Sequence, residues 1–129
     1  SNPKWILKAD DDFVVQVEAL EDYLVRTYDA TQPTVIGQVN HGTKVPRGGK
    51  WGDWYPKKTY PAWVRGSFGH VVSHGGAEYI SSAVAELVDY QGEDVSLGIW
   101  MDESPLSVKW KHTKRLIVFP LQRLLDAFV

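Results

Sequence analysis

The sequence predicts an α/β fold, a layered sheet flanked by helices. Short apolar runs alternate along the chain with segments whose apolar residues recur at helical spacing, which is the pattern of alternating strands and helices. The chain has 129 residues, 43% of them hydrophobic, which suits one domain with a buried core. No internal repeat, low-complexity tract or linker interrupts it. We therefore expect a single domain over residues 1–129.

The first half of the chain is predicted to hold two strands around a helix. Residues 4–9 form a short, largely apolar run that predicts a buried strand. Apolar residues then fall on one helical face over residues 17–28, with acidic residues opposite, which predicts an amphipathic helix. Residues 35–39 predict a second strand. Residues 40–66 contain five glycines and three prolines, so we expect a long loop there.

A third strand is predicted over residues 68–73. Gly75 and Gly76 should then break the chain ahead of a helix over residues 77–89. Helical spacing predicts four inward-facing residues in that helix, namely Ile80, Val84, Leu87 and Val88.

The remaining elements are short. After Gly92, the spacing of apolar residues over 95–99 predicts a helical turn. Strands are predicted over residues 108–110 and 116–119, and a closing amphipathic helix over residues 121–128.

Composition excludes several classes of function. The formal net charge is −2 and the chain has no long basic run, so we expect no nucleic-acid partner. The absence of cysteine excludes disulfides, zinc-thiolate sites and a cysteine nucleophile. No apolar stretch reaches the roughly 18 residues that a membrane-spanning helix needs.

Three consecutive aspartates, Asp10, Asp11 and Asp12, follow the first predicted strand. Like charges at a strand end repel one another, and carboxylate oxygens are the ligands that Mg²⁺ and Mn²⁺ prefer, so a divalent cation is one explanation. The alternative is an acidic turn that caps the following helix, because aspartate suits the N-cap and the positive end of the helix dipole.

Aromatic residues are dense in the predicted loop, where five of them fall within residues 51–63: Trp51, Trp54, Tyr55, Tyr60 and Trp63. Aromatic side chains stack well on flat ligands at low entropic cost, so this loop is a candidate binding element. The alternative is a long loop that its own aromatics pin to the protein body.

Three segments occur in a fixed order: KADDDF at residues 8–13, a Tyr-Pro and glycine run at 60–73, and EDVSLG at 93–98. Together with Lys50 and Trp51 ahead of the glycine run, they resemble the β1,3-galactosyltransferase family, the inverting transferases of glycosyltransferase family 31. The resemblance covers most of the chain up to Gly98.

The resemblance implies a GT-A-like sheet that lacks its first nucleotide-binding strands, because the chain starts almost on the strand before the aspartates. By this interpretation, residues 1–129 are the C-terminal catalytic part of a glycosyltransferase domain. The chain also departs from the family pattern: the segment 60–73 is one residue longer, and His70 stands where an aromatic residue is customary. From sequence we expect His41, His70 and His74 to be loop or surface residues.

The resemblance also implies a metal and nucleotide site. Asp12 would be the direct ligand of Mn²⁺ or Mg²⁺, with Asp10 and His112 as further ligands, and Asp10 and Asp11 would contact the ribose or a metal-bound water. The alternative for His112 is an exposed basic turn, since it lies between lysines. Four basic residues nearby could instead attract a diphosphate: Lys109, Lys111, Lys114 and Arg115.

An inverting transferase needs a base that takes the proton of the acceptor hydroxyl. The resemblance implies Asp94 for this role, with Glu93 beside it as an orienting or second carboxylate. The alternative is that the pair caps the helix that follows. Gly66 and Gly69 would border the donor sugar, although glycines most often only make turns.

The function implied is metal-dependent inverting transfer of a hexose or N-acetylhexosamine from a UDP-sugar to a sugar hydroxyl of a glycan or glycoconjugate, with a β1,3 linkage. The full-length parent would be a Golgi type II membrane protein that contacts the membrane only through a segment outside this chain. The alternative is a non-catalytic, lectin-like remnant with a divalent cation site. A metal-dependent phosphohydrolase is disfavoured because the chain supplies few ligands for a two-metal centre.

Overall fold

The computed structural model describes residues 3–113 and 118–120. The described part is mixed α/β, with one four-stranded sheet, two two-stranded sheets and three α-helices. In chain order the elements are β1 (Trp5–Lys8), β2 (Phe13–Val15), α1 (Val17–Thr27), β3 (Thr34–Gly37), β4 (Val39–Asn40), β5 (Trp63–Val64), a 3₁₀ turn (Gly66–Phe68), β6 (His70–Ser73), α2 (His74–Ala83), α3 (Glu93–Glu103), β7 (Lys109–His112) and β8 (Val118–Pro120).

The main sheet is mixed, with strand order β1-β6-β3-β7. Strand β6 pairs antiparallel with β1 and β3, whereas β3 and β7 run parallel. Every residue of β3 and β6 is buried, while β1 and β7 are only partly covered. The two central strands therefore carry the core of the sheet, and the two outer strands bring polar residues to its margins.

Most of the predicted elements are confirmed. Strands β1 and β3, helix α1 and the helical turn that begins α3 all form within a few residues of their predicted bounds. The α/β prediction is also confirmed. The predicted strand over residues 116–119 is partly matched by β8, which pairs with β2. The predicted helix over residues 121–128 lies outside the described residues.

The prediction for the second helix was wrong at both ends. Helix α2 begins at His74, so Gly75 lies in its first turn instead of breaking the chain. Close packing requires a glycine there, because a Cβ on Gly75 would come within 2.4 Å of the Thr31 carbonyl oxygen. The helix also ends at Ala83, which leaves Val84 and Val88 exposed and not inward-facing.

The loop between β4 and β5 is held by two polar side chains. The Arg47 guanidinium donates to the carbonyl oxygens of Asp53, Tyr55 and Lys57. The buried Asp53 carboxylate accepts from the Tyr60 hydroxyl at 2.6 Å and from the backbone N–H groups of Trp54 and Gln91. Polar side chains therefore hold the loop, and two of its aromatics, Tyr55 and Tyr60, are buried, whereas Trp51 and Trp54 are exposed.

Helix α3 packs directly on β5, and a glycine makes this possible. A Cβ on Gly98 would lie 2.4 Å from the Ala62 carbonyl oxygen and 2.8 Å from the Trp63 Cβ. The approach buries Val95 and Ile99 against Tyr55 and other loop aromatics. The N-terminus of α3 is therefore fixed relative to the loop.

No helix in the described residues is long and apolar enough to cross a membrane.

His70 is buried, which corrects the expectation of a loop or surface residue. It is the first residue of β6, lies between Lys8 of β1 and Gly37 of β3, and is only 5% exposed. The Gly37 position is too crowded for a side chain, because a Cβ there would lie 3.0 Å from the His70 Cβ. Burial, and secondarily the charge of Lys8, lowers the pKa of His70 to about 4.

We predict that this histidine makes stability depend on pH. The unfolded chain protonates His70 at its ordinary pKa of 6.5 and the folded chain only at about 4, so its contribution is complete above pH 6.5 and is lost as pH falls towards 4. The loss should approach about 3 kcal/mol. Urea unfolding of wild type and His70→Phe at pH 7, 5.5 and 4 measures it. The variant should lose less stability than wild type over this range, and parallel losses would contradict the assignment.

Candidate functional site

A cleft of about 820 Å³ opens where three parts of the chain meet. They are the end of β1 with Asp10 beyond it, the loop between β4 and β5 with the 3₁₀ turn that follows β5, and the start of α3. Its lining combines charged and aromatic side chains, and includes Lys8, Asp10, Trp51, Tyr60, Trp63, Arg65, Gly66, Gln91, Glu93 and Asp94. An open cleft with a few convergent polar groups is the usual form of a binding site.

Lys8 joins two of the carboxylates in this cleft. Its Nζ lies 2.5 Å from Glu93 Oε1 and 3.2 Å from Asp10 Oδ1. Lys8 is the last residue of β1 and Asp10 follows two residues later, whereas Glu93 is the first residue of α3. A single ammonium therefore connects the acidic triplet with the second acidic segment, which is 83 positions from Asp10 in sequence.

The electrostatics of Lys8 follow from these contacts. Partial burial on its own lowers the pKa of the ammonium, but the hydrogen bonds to Glu93 and Asp10 outweigh it, so the pKa is raised above the ordinary 10.5. Lys8 is therefore a permanent positive charge at neutral pH. It partly offsets the repulsion among the carboxylates that line the cleft.

Asp94 is held by backbone groups on two sides. Its Oδ2 accepts from the Gly66 N–H at 3.3 Å, and its Oδ1 accepts from the Val95 N–H at 2.9 Å. Helix α3 begins at Glu93, with Gly92 at its N-cap. Asp94 is therefore not the N-cap residue, but in the first turn it satisfies a free N–H and gains from the helix dipole.

Gly66 and Gly69 have different surroundings. Gly66 lines the cleft, and a Cβ there would lie 3.0 Å from Lys8 Nζ and 3.7 Å from Asp94 Oδ2, so a side chain would crowd both charges. Gly69 ends the 3₁₀ turn with φ of 77°, a conformation that favours glycine, and does not line the cleft. A role for Gly69 at the donor sugar stays a prediction.

The structure does not bring the three predicted metal ligands together. Asp10 lines the cleft, whereas Asp12 is exposed on the turn that the Phe13 N–H closes onto the Asp10 carbonyl oxygen. His112 ends β7 at the opposite edge of the sheet from β1, three strand spacings or about 14 Å away. Its Nδ1 accepts from the Val39 N–H.

A divalent cation still suits the chemistry at the end of β1. Within residues 3–113 and 118–120, no group of three histidine or acidic side chains is arranged to hold a metal ion. Mg²⁺ and Mn²⁺ sites of nucleotide enzymes commonly use one or two carboxylates, with phosphates and water completing the shell. Asp10 in the cleft and the exposed Asp11 and Asp12 beside it offer such hard oxygen donors.

Several cleft residues were not singled out from sequence. Lys8 belongs to the KADDDF segment but had no predicted role, although it lies two residues before Asp10 and hence on the same side of an extended strand. Arg65 and Gln91 gave no periodic or spacing signal. They line the cleft only because β5 and α3 meet there.

Comparison with known proteins shows which family the chain resembles. The chain is similar to UDP-GalNAc:beta-1,3-N-acetylgalactosaminyltransferase 2 of Homo sapiens, with 38% identity over 97 residues, which cover 74% of this chain and 19% of the human protein. It is also similar to hydroxyproline O-galactosyltransferase GALT6 of Arabidopsis thaliana, with 32% identity over 105 residues, 78% of this chain and 15% of that protein.

The chain therefore matches about a fifth or less of the length of these two relatives. A family model described as Galactosyltransferase matches residues 1–113, which is most of the chain and includes every residue that lines the cleft. The chain belongs to the galactosyltransferase family.

Proposed function

We propose that the chain carries the catalytic part of a metal-dependent, inverting glycosyltransferase. It would move a hexose or N-acetylhexosamine from a UDP-sugar to a sugar hydroxyl, with a β1,3 linkage. The observation that carries this proposal is the cleft in which Lys8 joins Asp10 of the acidic triplet to Glu93, the neighbour of Asp94. The relatives' names support it, since the human protein is named for UDP-GalNAc and β-1,3 transfer.

Asp94 is the proposed base. As the acceptor oxygen forms its bond to the anomeric carbon, the bond from that carbon to the diphosphate breaks and UDP leaves with the electron pair. The proton of the acceptor hydroxyl passes to the Asp94 carboxylate. The N–H donors of Gly66 and Val95 support this role, because they fix the position of the carboxylate at the cleft.

Asp12 and Asp10 are the proposed metal-holding residues at the end of β1, and Asp11 would contact the ribose or a metal-bound water. A bound Mn²⁺ or Mg²⁺ would neutralise charge on the leaving diphosphate. The position of His112 at the far edge of the sheet favours a different role for that residue. Lys8 and Arg65, which also line the cleft, add positive charge on the side where a diphosphate would lie.

Two broader proposals rest on family membership. The sheet would belong to a GT-A-type domain. The whole protein would work in the Golgi lumen as a type II membrane protein.

The base assignment predicts that Asp94→Asn in the full-length protein lowers turnover by roughly 10²–10⁴-fold, the usual contribution of a general base. Donor affinity should change little, because the carboxylate acts mainly in the transition state. Initial rates of UDP release with a saccharide acceptor, and calorimetry with UDP-sugar, measure the two quantities.

Glu93→Gln is the matched control, since it removes the adjacent charge and its ion pair with Lys8 but leaves Asp94 in place. It should cost clearly less turnover than Asp94→Asn. Near-normal turnover of Asp94→Asn would end the assignment, and a larger loss in Glu93→Gln would transfer the role to Glu93.

The metal assignment predicts that Asp12→Asn abolishes Mn²⁺-dependent binding of UDP while the fold persists, because the side chain is exposed. Titration calorimetry of the full-length protein, with Mn²⁺ and UDP, measures the effect. Asp22→Asn, an exposed aspartate on α1 that pairs with Arg26, is the control and should bind as wild type does. Unchanged Mn²⁺-dependent UDP binding in Asp12→Asn would remove this residue from the site.

A further inference from the structure

Trp51 is an exposed aromatic side chain in the lining of the cleft. It is 60% exposed and shares the lining with Glu93 and Asp94. A tryptophan left in water forgoes the burial of a large apolar surface, which normally stabilises a fold. Such exposure beside a set of acidic side chains suits a surface that a ligand covers.

The other aromatic residues of the cleft lining already form hydrogen bonds within the protein and are at least half-buried. Tyr60 is buried and its hydroxyl donates to Asp53. Trp63 is half-buried, and its Nε1 donates to Thr43 Oγ1 at 3.0 Å. Trp51 is therefore the lining aromatic, among the described residues, that keeps most of its ring surface exposed.

The backbone around Trp51 is rigidly held. Gly52 donates its N–H to the Gly49 carbonyl oxygen, and a Cβ on Gly52 would lie 3.2 Å from the Gly48 backbone, so the turn is tight. The Gln91 side chain donates to the Lys50 carbonyl oxygen at 3.2 Å. Because Gln91 comes three residues before Asp94, this bond ties the turn to the segment that carries the proposed base.

One face of the ring has a cationic neighbour. The Lys50 Nζ lies 5.1 Å from the centre of the Trp51 ring, over one face. This contact favours one orientation of the ring, while the exposed fraction shows that much of its surface stays open. A rigid aromatic side chain loses little conformational freedom on binding, which is the property of a good stacking platform.

We propose that Trp51 is the stacking platform for the pyranose ring of the acceptor. The C–H face of a pyranose is apolar and flat enough to cover an indole ring, and its hydroxyls could then point towards Asp94. This inference rests on the proposed transferase function and deepens it. It names the side chain that would hold the ring of the acceptor sugar.

The test compares two tryptophans of the same loop in the full-length protein. Trp51 and Trp54 are 60% and 61% exposed, but only Trp51 lines the cleft, since Trp54 stacks on Tyr90 with ring centres 4.7 Å apart. Trp51→Ala should raise the KM for p-nitrophenyl β-N-acetylglucosaminide or β-galactoside by about tenfold, with little change in kcat. Trp54→Ala should change it less than twofold, and Trp51→Phe should recover part of the loss.

The donor-side readout separates this inference from the proposed function. Slow UDP release from UDP-galactose or UDP-N-acetylgalactosamine without acceptor should be the same in wild type, Trp51→Ala and Trp54→Ala. If wild type neither releases UDP nor transfers sugar, the proposed function fails.

If wild type releases UDP, two results overturn the inference about Trp51 alone. They are equal acceptor KM values in Trp51→Ala and Trp54→Ala, and a raised KM for the UDP-sugar in Trp51→Ala. Transfer to a hydroxyproline peptide but to neither glycoside would overturn this inference together with the sugar-hydroxyl acceptor of the proposed function.

Discussion

The register of the central strand β6 is the constraint on which the site depends. It sets Lys8 at the end of β1 opposite His70, and His70 opposite Gly37 of β3. A shift of one residue would turn the Lys8 side chain to the other face of the sheet and break its contacts with Asp10 and Glu93. Gly37 protects this register, because the His70 side chain occupies the space that a Cβ would need.

A second polar centre fixes the aromatic loop to the same site. The Asp53 carboxylate accepts from Tyr60 within the loop and from the N–H of Gln91 outside it. A buried carboxylate would be costly without such donors, so its hydrogen bonds specify one arrangement of the loop. These bonds join the loop to the segment before α3, and this keeps Trp51 near the segment that carries Asp94.

The carboxylates that line the cleft lie close together, but neighbouring donor groups limit the repulsion among them. Lys8 lies between Asp10 and Glu93, and backbone N–H groups hold Asp94, so each of these carboxylates has a donor. A cation that binds near Asp10 would enter a site where Lys8 already supplies positive charge. The full affinity of such a site would then depend on substrate phosphates, which is consistent with the way Mg²⁺ is held in many nucleotide enzymes.

The sequence by itself determined the alternation of strands and helices, the acidic triplet at the end of β1, the acidic pair in the first turn of α3 and the family. These features are local, because periodicity and short segments encode them within a few residues. Tertiary structure alone decided that His70 is buried and that His112 lies across the sheet from Asp10. It also decided that Lys8 joins two acidic segments that are distant in sequence. In the loop, only tertiary structure decided that Trp51 lines the cleft whereas Trp54 stacks on Tyr90. The physical reason is that strand order, register and loop packing depend on contacts between residues far apart in sequence, which local patterns do not record.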